Sequence, residues 1–269
     1  MSSFFCVIIN LKEDDNMNEI KVTPLGTISP YPKGERNCPG FIVRYNDYKI
    51  LLDCGSGISR LLKFPEDLIN MNVIISHFHK DHYDDLGSIQ YASYVYQKEG
   101  ILKNPVNIYY PEIDAEGYNI PSITNTDIQY SNFNMIPKDG QSFDIDDLHI
   151  ELKDNGSHIP GTYMVKIQNE THKVVYTADT GTSNFDELVE FCKDSDLLIC
   201  ESALLRIDNR PTDKHLTAYE AGRLAKLSNS KKMIITHLWP EQDRNLYLEE
   251  AKEVYNNVEL AEEGKTLIV

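Results

Sequence analysis

The segment His77-Phe-His79-Lys-Asp81-His82 follows directly on the apolar run Asn72–Ser76. Three imidazoles and a carboxylate in six residues have little use in a solvated loop, so the fold must bring them to a shared partner. Asn72–Ser76 reads as a short buried strand. Alternation along an extended chain puts His77 and His79 on one side, and a turn at Lys80 swings Asp81 and His82 to another. Imidazole and carboxylate donors without a thiolate suit Zn²⁺ or a similar first-row ion. The bland alternative is a polar loop that happens to contain histidines.

Around this segment the chain changes rhythm. Strands are expected at 19–26, 40–44 and 48–53, the last two joined by a turn at Asn46-Asp47. Gly55-Ser-Gly57 then breaks the chain before a short helix at 58–62, and apolar residues spread from Leu86 to Tyr96 predict a longer one. Strands follow at 106–110, 149–153, 162–168 and 173–177, with a loop rich in Pro, Asn and Tyr from Pro111 to Thr126. After that, helices at 184–191, 218–227 and 244–254 alternate with strands at 197–200 and 232–236, and Thr217 is a suitable N-cap. Strands first and then alternating helices and strands predict a mixed α/β (α+β) domain. With no internal repeat or long linker, residues 17–269 read as one domain and residues 1–16 as an N-terminal extension.

Charge narrows the partners. The chain of 269 residues has 26 Lys+Arg against 42 Asp+Glu, a formal net charge of −16. Wrapping nucleic acid needs a basic group for each phosphate contact, so tRNA is an unlikely partner. A small anionic ligand stays compatible where bound metal ions reverse the local field. Five cysteines without a C-x-x-C pair suit a reducing cytoplasm rather than a disulfide framework. No apolar run reaches the roughly 18–20 residues that span a bilayer, so no membrane partner is expected.

Further candidate ligands stand at the ends of expected strands: His158 after Gly156-Ser157, Asp179 after Val174–Ala178, and His237 after Met233–Thr236. Asp53, ending Ile50–Leu52, fits an orienting carboxylate behind a ligand. The order His-x-His-x-Asp-His, then single His, Asp and His, resembles the metallo-β-lactamase superfamily over roughly residues 18–269. That resemblance implies a four-layer αββα sandwich with a dinuclear metal site. In it His77, His79 and His158 hold one Zn²⁺, Asp81, His82 and His237 hold the other, and Asp179 bridges, with Mn²⁺ as an alternative ion. True β-lactamases carry Cys where Asp179 stands, and di-iron members replace the second His of the cluster with an acid. The resemblance therefore points away from antibiotic hydrolysis and from redox chemistry.

Cys200-Glu201-Ser202-Ala203 and His215-Leu216-Thr217-Ala218 resemble the paired motifs of the RNase Z branch. There the His gives a proton to the leaving oxygen and the Glu orients it, so His215, Glu201 and Asp81 are the expected catalytic residues. Between Asp179 and His237 the long basic arm with which RNase Z grips tRNA is missing. Arm-less members hydrolyse small phosphodiesters, and the chain resembles the phage anti-Pycsar phosphodiesterases of cyclic nucleotides, which evade cyclic-nucleotide antiviral immunity. The segment Pro111–Phe133, with Tyr118, Tyr130 and Phe133, is a candidate lid whose rings suit stacking on a flat nucleobase, or else an aromatic-rich loop covering core. The resemblance implies a homodimer in which Tyr118 reaches the neighbouring site. A turn from Gly156 and Ser157 through Thr162 is expected to face phosphate. The competing readings are an RNase Z-like RNA 3′-processing endonuclease and a non-catalytic metal-binding scaffold.

Overall fold

The computed structural model describes residues 19–112 and 131–269. The first sheet is built from β1 (Lys21–Gly26), β2 (Gly40–Tyr45), β3 (Tyr48–Leu52), β4 (Met71–Ile74), β5 (Val106–Pro111) and β6 (Ser131–Ile136). The second contains β7 (Gln141–Ile145), β8 (Leu148–Asp154), β9 (Tyr163–Gln168), β10 (Lys173–Tyr176), β11 (Leu197–Glu201), β12 (Lys232–Thr236) and β13 (Val258–Leu260). The C-terminal β14 (Leu267–Ile268) returns to pair with β1, giving the orders β14-β1-β2-β3-β4-β5-β6 and β13-β12-β11-β10-β9-β8-β7.

Alternating side chains explain the layering. Val22, Phe41, Val43, Ile50, Leu52 and Ile74 of the first sheet face Ile150, Val165, Val174, Ile199 and Ile234 of the second, and together they form the central core. The opposite face of the first sheet is covered by α2 (Leu86–Lys98), which buries Leu86 and Ile89 on Ile42, Leu51 and Val73. The outer face of the second is covered by α3 (Phe185–Cys192), α4 (Ala218–Leu227) and α5 (Arg244–Lys252). This is the αββα sandwich. Helix α4 starts where Thr217 predicts it, with the Thr217 hydroxyl accepting from Glu220 N and the Glu220 carboxylate accepting from Thr217 N.

Strand direction positions the site. β3 and β4 run parallel, as do β10, β11 and β12, so within each sheet their C-terminal ends leave on one edge. The two edges are tied together where Ser29 N donates to the Leu238 carbonyl and Leu238 N to that of Thr27. The expected helix at 58–62 is only a 3-10 turn at Ser59–Leu61, and Lys80–Tyr83 closes into a one-turn helix, α1. Strands β6, β7, β13 and β14 are additions to the sequence-based expectation. Of the expected lid, Tyr118 and Tyr130 lie outside the described residues. Phe133 is not a lid residue: it sits in β6, edge-on to Tyr110 at 6.1 Å, and packs on the core beneath α2.

Candidate active site

Each sheet edge delivers its donors by a different local device. On the first, β4 ends and the chain runs through His77 and His79 into α1, which carries Asp81 and His82. The adjacent turn at Cys54-Gly55 is laced to this loop, with Cys54 N donating to the His82 carbonyl at 2.7 Å. Gly55 is required there, because a Cβ would overlap the carbonyl oxygen of Asp81. On the second edge, His158 lies between β8 and β9, Asp179 follows β10, Glu201 closes β11, and His237 follows β12. Three non-glycine residues at these strand ends adopt left-handed backbone: Asp53 (φ 57°), Ala178 (φ 51°) and His237 (φ 61°). That conformation is unfavourable by about 1–2 kcal/mol per residue and turns the chain sharply at the edge.

The seven expected ligands converge. His79 Nδ1 is 3.1 Å from His77 Nε2 and 3.0 Å from His158 Nε2. Asp179 Oδ2 stands 3.6 Å from both His77 Nε2 and His158 Nε2, which completes one group of four. Asp81 Oδ2 lies 3.6 Å from His82 Nε2 and from His237 Nε2, which are 3.3 Å apart. Asp179 Oδ1 faces this second group, 3.2 Å from His82 Nε2 and 3.0 Å from His237 Nε2. One carboxylate thus presents one oxygen to each group.

The donors fit metal ions better than they fit one another. One proton cannot serve His79 Nδ1 toward both His77 and His158. Asp179 Oδ1 is buried and makes no hydrogen bond, although two imidazole nitrogens lie close by. Ligand atoms about 2.0–2.1 Å from one tetrahedral ion stand roughly 3.3–3.4 Å apart, close to the separations here. Protonation tells the same story from charge. Burial lowers the pKa of His77 and takes His158 down to about 4, leaving their lone pairs free. Burial also opposes charging of His237, but Asp179 and Asp81 outweigh it and bring the pKa up to about 10; His82 is raised likewise, by Asp179, Asp53 and Asp81. The carboxylates demand cationic charge, which protons supply on one side of the site and divalent ions would supply better.

Groups behind the ligands hold their orientation. Asp53, fully buried, accepts from His82 Nδ1, Ser76 Oγ and Tyr176 Oη on Oδ2 at 2.7, 2.8 and 2.7 Å, and from Ser76 N on Oδ1. Tyr176 belongs to β10, so this bond crosses from one sheet to the other. Ser29 Oγ donates to Asp81 Oδ2 at 2.7 Å, and His158 Nδ1 donates to the Lys214 carbonyl at 3.1 Å. Asn155 Oδ1 accepts from Ser157 N and His158 N, while its Nδ2 donates to the Asp179 carbonyl at 2.6 Å. Sequence reading missed Ser29, Tyr176 and Asn155, because nothing local distinguishes such residues from ordinary strand and turn positions. Within the expected phosphate-facing turn, the Ser157 hydroxyl is turned to Thr180 Oγ1 and Gly181 N, where it braces the Asp179 loop.

His215 and Glu201 meet beside the ligands. His215 Nδ1 is 2.9 Å from Glu201 Oε1, and buried Glu201 also accepts from Thr180 N at 3.0 Å and Ala203 N at 2.8 Å. Burial disfavours the imidazolium, but the Glu201 charge prevails and the His215 pKa is raised. Its ring packs 4.7 Å from that of His158 and 5.6 Å from that of His237. His215, His79, Asp81, Asp179 and His237 line one open cavity of about 500 Å³. With Nδ1 committed to Glu201, Nε2 is the nitrogen left for that cavity. His215 is also near enough to Asp179 and His237 to count as a ligand candidate, an alternative that metal content after substitution decides.

Residues 48–238 match the Beta-lactamase superfamily domain. The chain is 31% identical over 250 residues to the probable metallo-hydrolase YhfI of Bacillus subtilis (strain 168), covering 91% of this chain and 98% of that protein. It is 27% identical over 317 residues to the ribonuclease Z of Clostridioides difficile (strain 630), covering 92% and 98% respectively. The crystal structure of Bacillus subtilis YhfI superposes with a TM-score of 0.81 at 28% identity, over 94% of this chain and 100% of the other. Human tRNase Z, short form, shares the fold with a TM-score of 0.68 at 21% identity, over 92% and 98%. With a family match across most of its length and these relatives over nearly all of it, the chain belongs to the metallo-β-lactamase superfamily.

Proposed function

We propose that the protein is a metal-dependent phosphodiesterase that opens small cyclic nucleotides, the 3′,5′-cyclic mononucleotides, with two Zn²⁺ or Mn²⁺ ions per chain. The observation that carries this reading is His215, held from behind by buried Glu201, lining one cavity with members of both donor groups. Divalent ions held by His77, His79, His158 and Asp179 and by Asp81, His82 and His237 would supply Lewis acidity, activating water and neutralising charge on a phosphoryl oxygen. The chain's own residues then decide what leaves. His215 gives the proton on Nε2 to the departing oxygen as the P–O bond breaks, so the alkoxide is never released as an anion. Glu201, fixed by two backbone amides, holds the ring through Nδ1 and stabilises the imidazolium before transfer. Asp53 holds His82 toward Asp81, Asp179 and His237, and Ser29 holds Asp81.

Size and charge favour a small substrate. A cavity of about 500 Å³ lies within the roughly 300–1,000 Å³ usual for small-molecule sites. Between Asp179 and His237 the chain is used up by α3, β11, α4, β12 and their connections, with no separate arm. Cyclic-nucleotide antiviral signalling is the setting that this chemistry suits, with a cytoplasmic homodimer as the form. Among the described residues no helix is long and apolar enough to cross a membrane.

The likeness to ribonuclease Z favours RNA 3′-processing as the second reading. One experiment separates the two: incubate the Zn²⁺- or Mn²⁺-loaded protein with 3′,5′-cyclic AMP, GMP, CMP and UMP and, in parallel, with a precursor tRNA at low salt. Turnover of cyclic nucleotides to 5′-monophosphates without tRNA cleavage is expected. Precursor cleavage with no cyclic-nucleotide turnover overturns the proposal, and less than one ion per chain with neither activity favours a scaffold.

A further inference from the structure

The cavity has a wall used by neither the metal donors nor the His215–Glu201 pair. Trp239, the single tryptophan of the chain, stands two residues beyond His237 and lines this cavity half-buried. Its ring packs against the core beneath the second sheet's helices, and Tyr31 meets it edge-on at 6.2 Å. The guanidinium carbon of Arg210 stands over the ring, 5.9 Å from its centroid, at the outer limit of a cation–π contact, a distance from which an exposed side chain can swing aside. Arg210 lines the same cavity, is exposed, and has no ion pair among the described residues. Its acidic neighbour Asp208 is occupied elsewhere, accepting from Leu205 N at 2.8 Å and from Gln242 Nε2 at 3.5 Å.

A chain of net charge −16 therefore keeps a guanidinium with no ion pair among the described residues and a half-buried indole together on one wall of its cavity. Phosphate chemistry alone needs neither, because the donor groups and His215 already address the reacting atoms. An indole face and a guanidinium together suit a planar aromatic ring with polar edges, which stacks on the one and accepts hydrogen bonds from the other. We propose that Trp239 and Arg210 form the subsite for the nucleobase, and that they make the enzyme select phosphodiesters carrying an aromatic base. This rests on the phosphodiesterase reading above and names the part of the substrate which that reading leaves open.

Because Trp239 is the sole tryptophan, its fluorescence reports this wall alone. Titrating the metal-loaded protein with AMP, GMP, CMP or UMP should quench or shift that emission, while ribose 5-phosphate at equal concentration should leave it unchanged. This readout needs no turnover, so it stands even if cyclic nucleotides prove not to be substrates. An identical response to ribose 5-phosphate, or none to any nucleotide, overturns the subsite. Kinetics supply the second arm. In Trp239→Leu the ratio of kcat/KM for a cyclic nucleotide to kcat/KM for base-free 3′,5′-cyclic ribose phosphate should fall about 10- to 100-fold, and Arg210→Gln should lower it in the same direction. An unchanged ratio in Trp239→Leu assigns the indole to packing and overturns the proposal. If wild type turns over neither cyclic compound while nucleotides still quench Trp239, the phosphodiesterase reading fails and the base subsite survives.

Discussion

The two sheets feed one cavity in unlike ways. The first contributes four candidate ligands from a single connection, His77 to His82, braced by Asp53 at the end of the neighbouring strand. The second contributes one residue per strand end or loop, His158, Asp179 and His237, with Glu201 and His215 beside them. A compact loop can be shifted as a unit by one bad contact. A distributed edge is held by the pairing of β9 through β12, each strand end or loop delivering its own side chain. Orientation on that edge is set by turning the backbone left-handed at Ala178 and His237, and by cross-braces such as Asn155. Loading of the metals should therefore be most sensitive to backbone changes on the first edge and to single side chains on the second.

The largest effect is expected from Asp179, where the comparison is sharpest because each of its oxygens faces a different donor group. Asp179→Ala should bring metal content per chain near zero and activity to background, as measured by elemental analysis and turnover on the same sample. Retention of one full ion would show that the groups load independently. On the first edge, Gly55→Ala alters no ligand yet forces the Asp81 carbonyl to move. Overpacking of this kind costs about 1–3 kcal/mol, and displaced ligands should weaken metal binding by about 10- to 100-fold, the range seen when supporting groups are lost. Competition with a chelator measures it. Unchanged affinity would mean that the loop tolerates displacement, and the contrast between the two edges would then fail.

His215→Ala tests the distributed edge in the opposite sense. Both ions should stay while the rate on an unactivated diester falls about 10²–10⁴-fold, the usual contribution of general acid catalysis. A nitrophenyl ester, whose leaving group needs no proton, should show far less loss. Loss of metal in His215→Ala would make this residue a ligand, as its distance from Asp179 and His237 permits.

The same contrast explains what the amino-acid sequence discloses. Four ligands in one segment announce themselves, and the strand before them is short and apolar. His158, Asp179 and His237 are legible only as singles at strand ends, which together point to one sheet edge, while their division between two metal groups comes from family resemblance alone. Strands β6 and β7 were missed because Asn132, Asn134, Gln141 and Asp144 make them polar edge strands rather than alternating apolar runs. β14 is two residues long and exists because β1 offers it an edge. Phe133 looked like a lid because aromatic content in a Pro-rich stretch does not reveal which face it packs on. Ser29, Tyr176 and Trp239 could not be assigned from local pattern, since each gains its role from a partner more than 50 positions away or from a cavity lined from both sheet edges.

Tyr176 gives the smallest effect and the finest test. Its phenol crosses between the sheets to Asp53 Oδ2 at 2.7 Å, in competition with Ser76 Oγ and His82 Nδ1 for the same oxygen. Tyr176→Phe removes one of four donors to a buried carboxylate and leaves the ring packed against Phe41, 5.5 Å away. A hydrogen bond to a charged acceptor is worth roughly 1.5–3 kcal/mol, and the three remaining donors should cut the loss toward the lower end. Stability measured by denaturant should fall by about that amount, whereas metal affinity should drop at most about 10-fold. His82 is the ligand that Asp53 orients, so the loss should fall on the ion held by Asp81, His82 and His237, and the group around His158 should load as before. Spectroscopic titration with Co²⁺, which resolves two sites by their separate absorption, distinguishes this. Equal weakening of both would mean that the bond holds the sheets in register rather than one imidazole in aim.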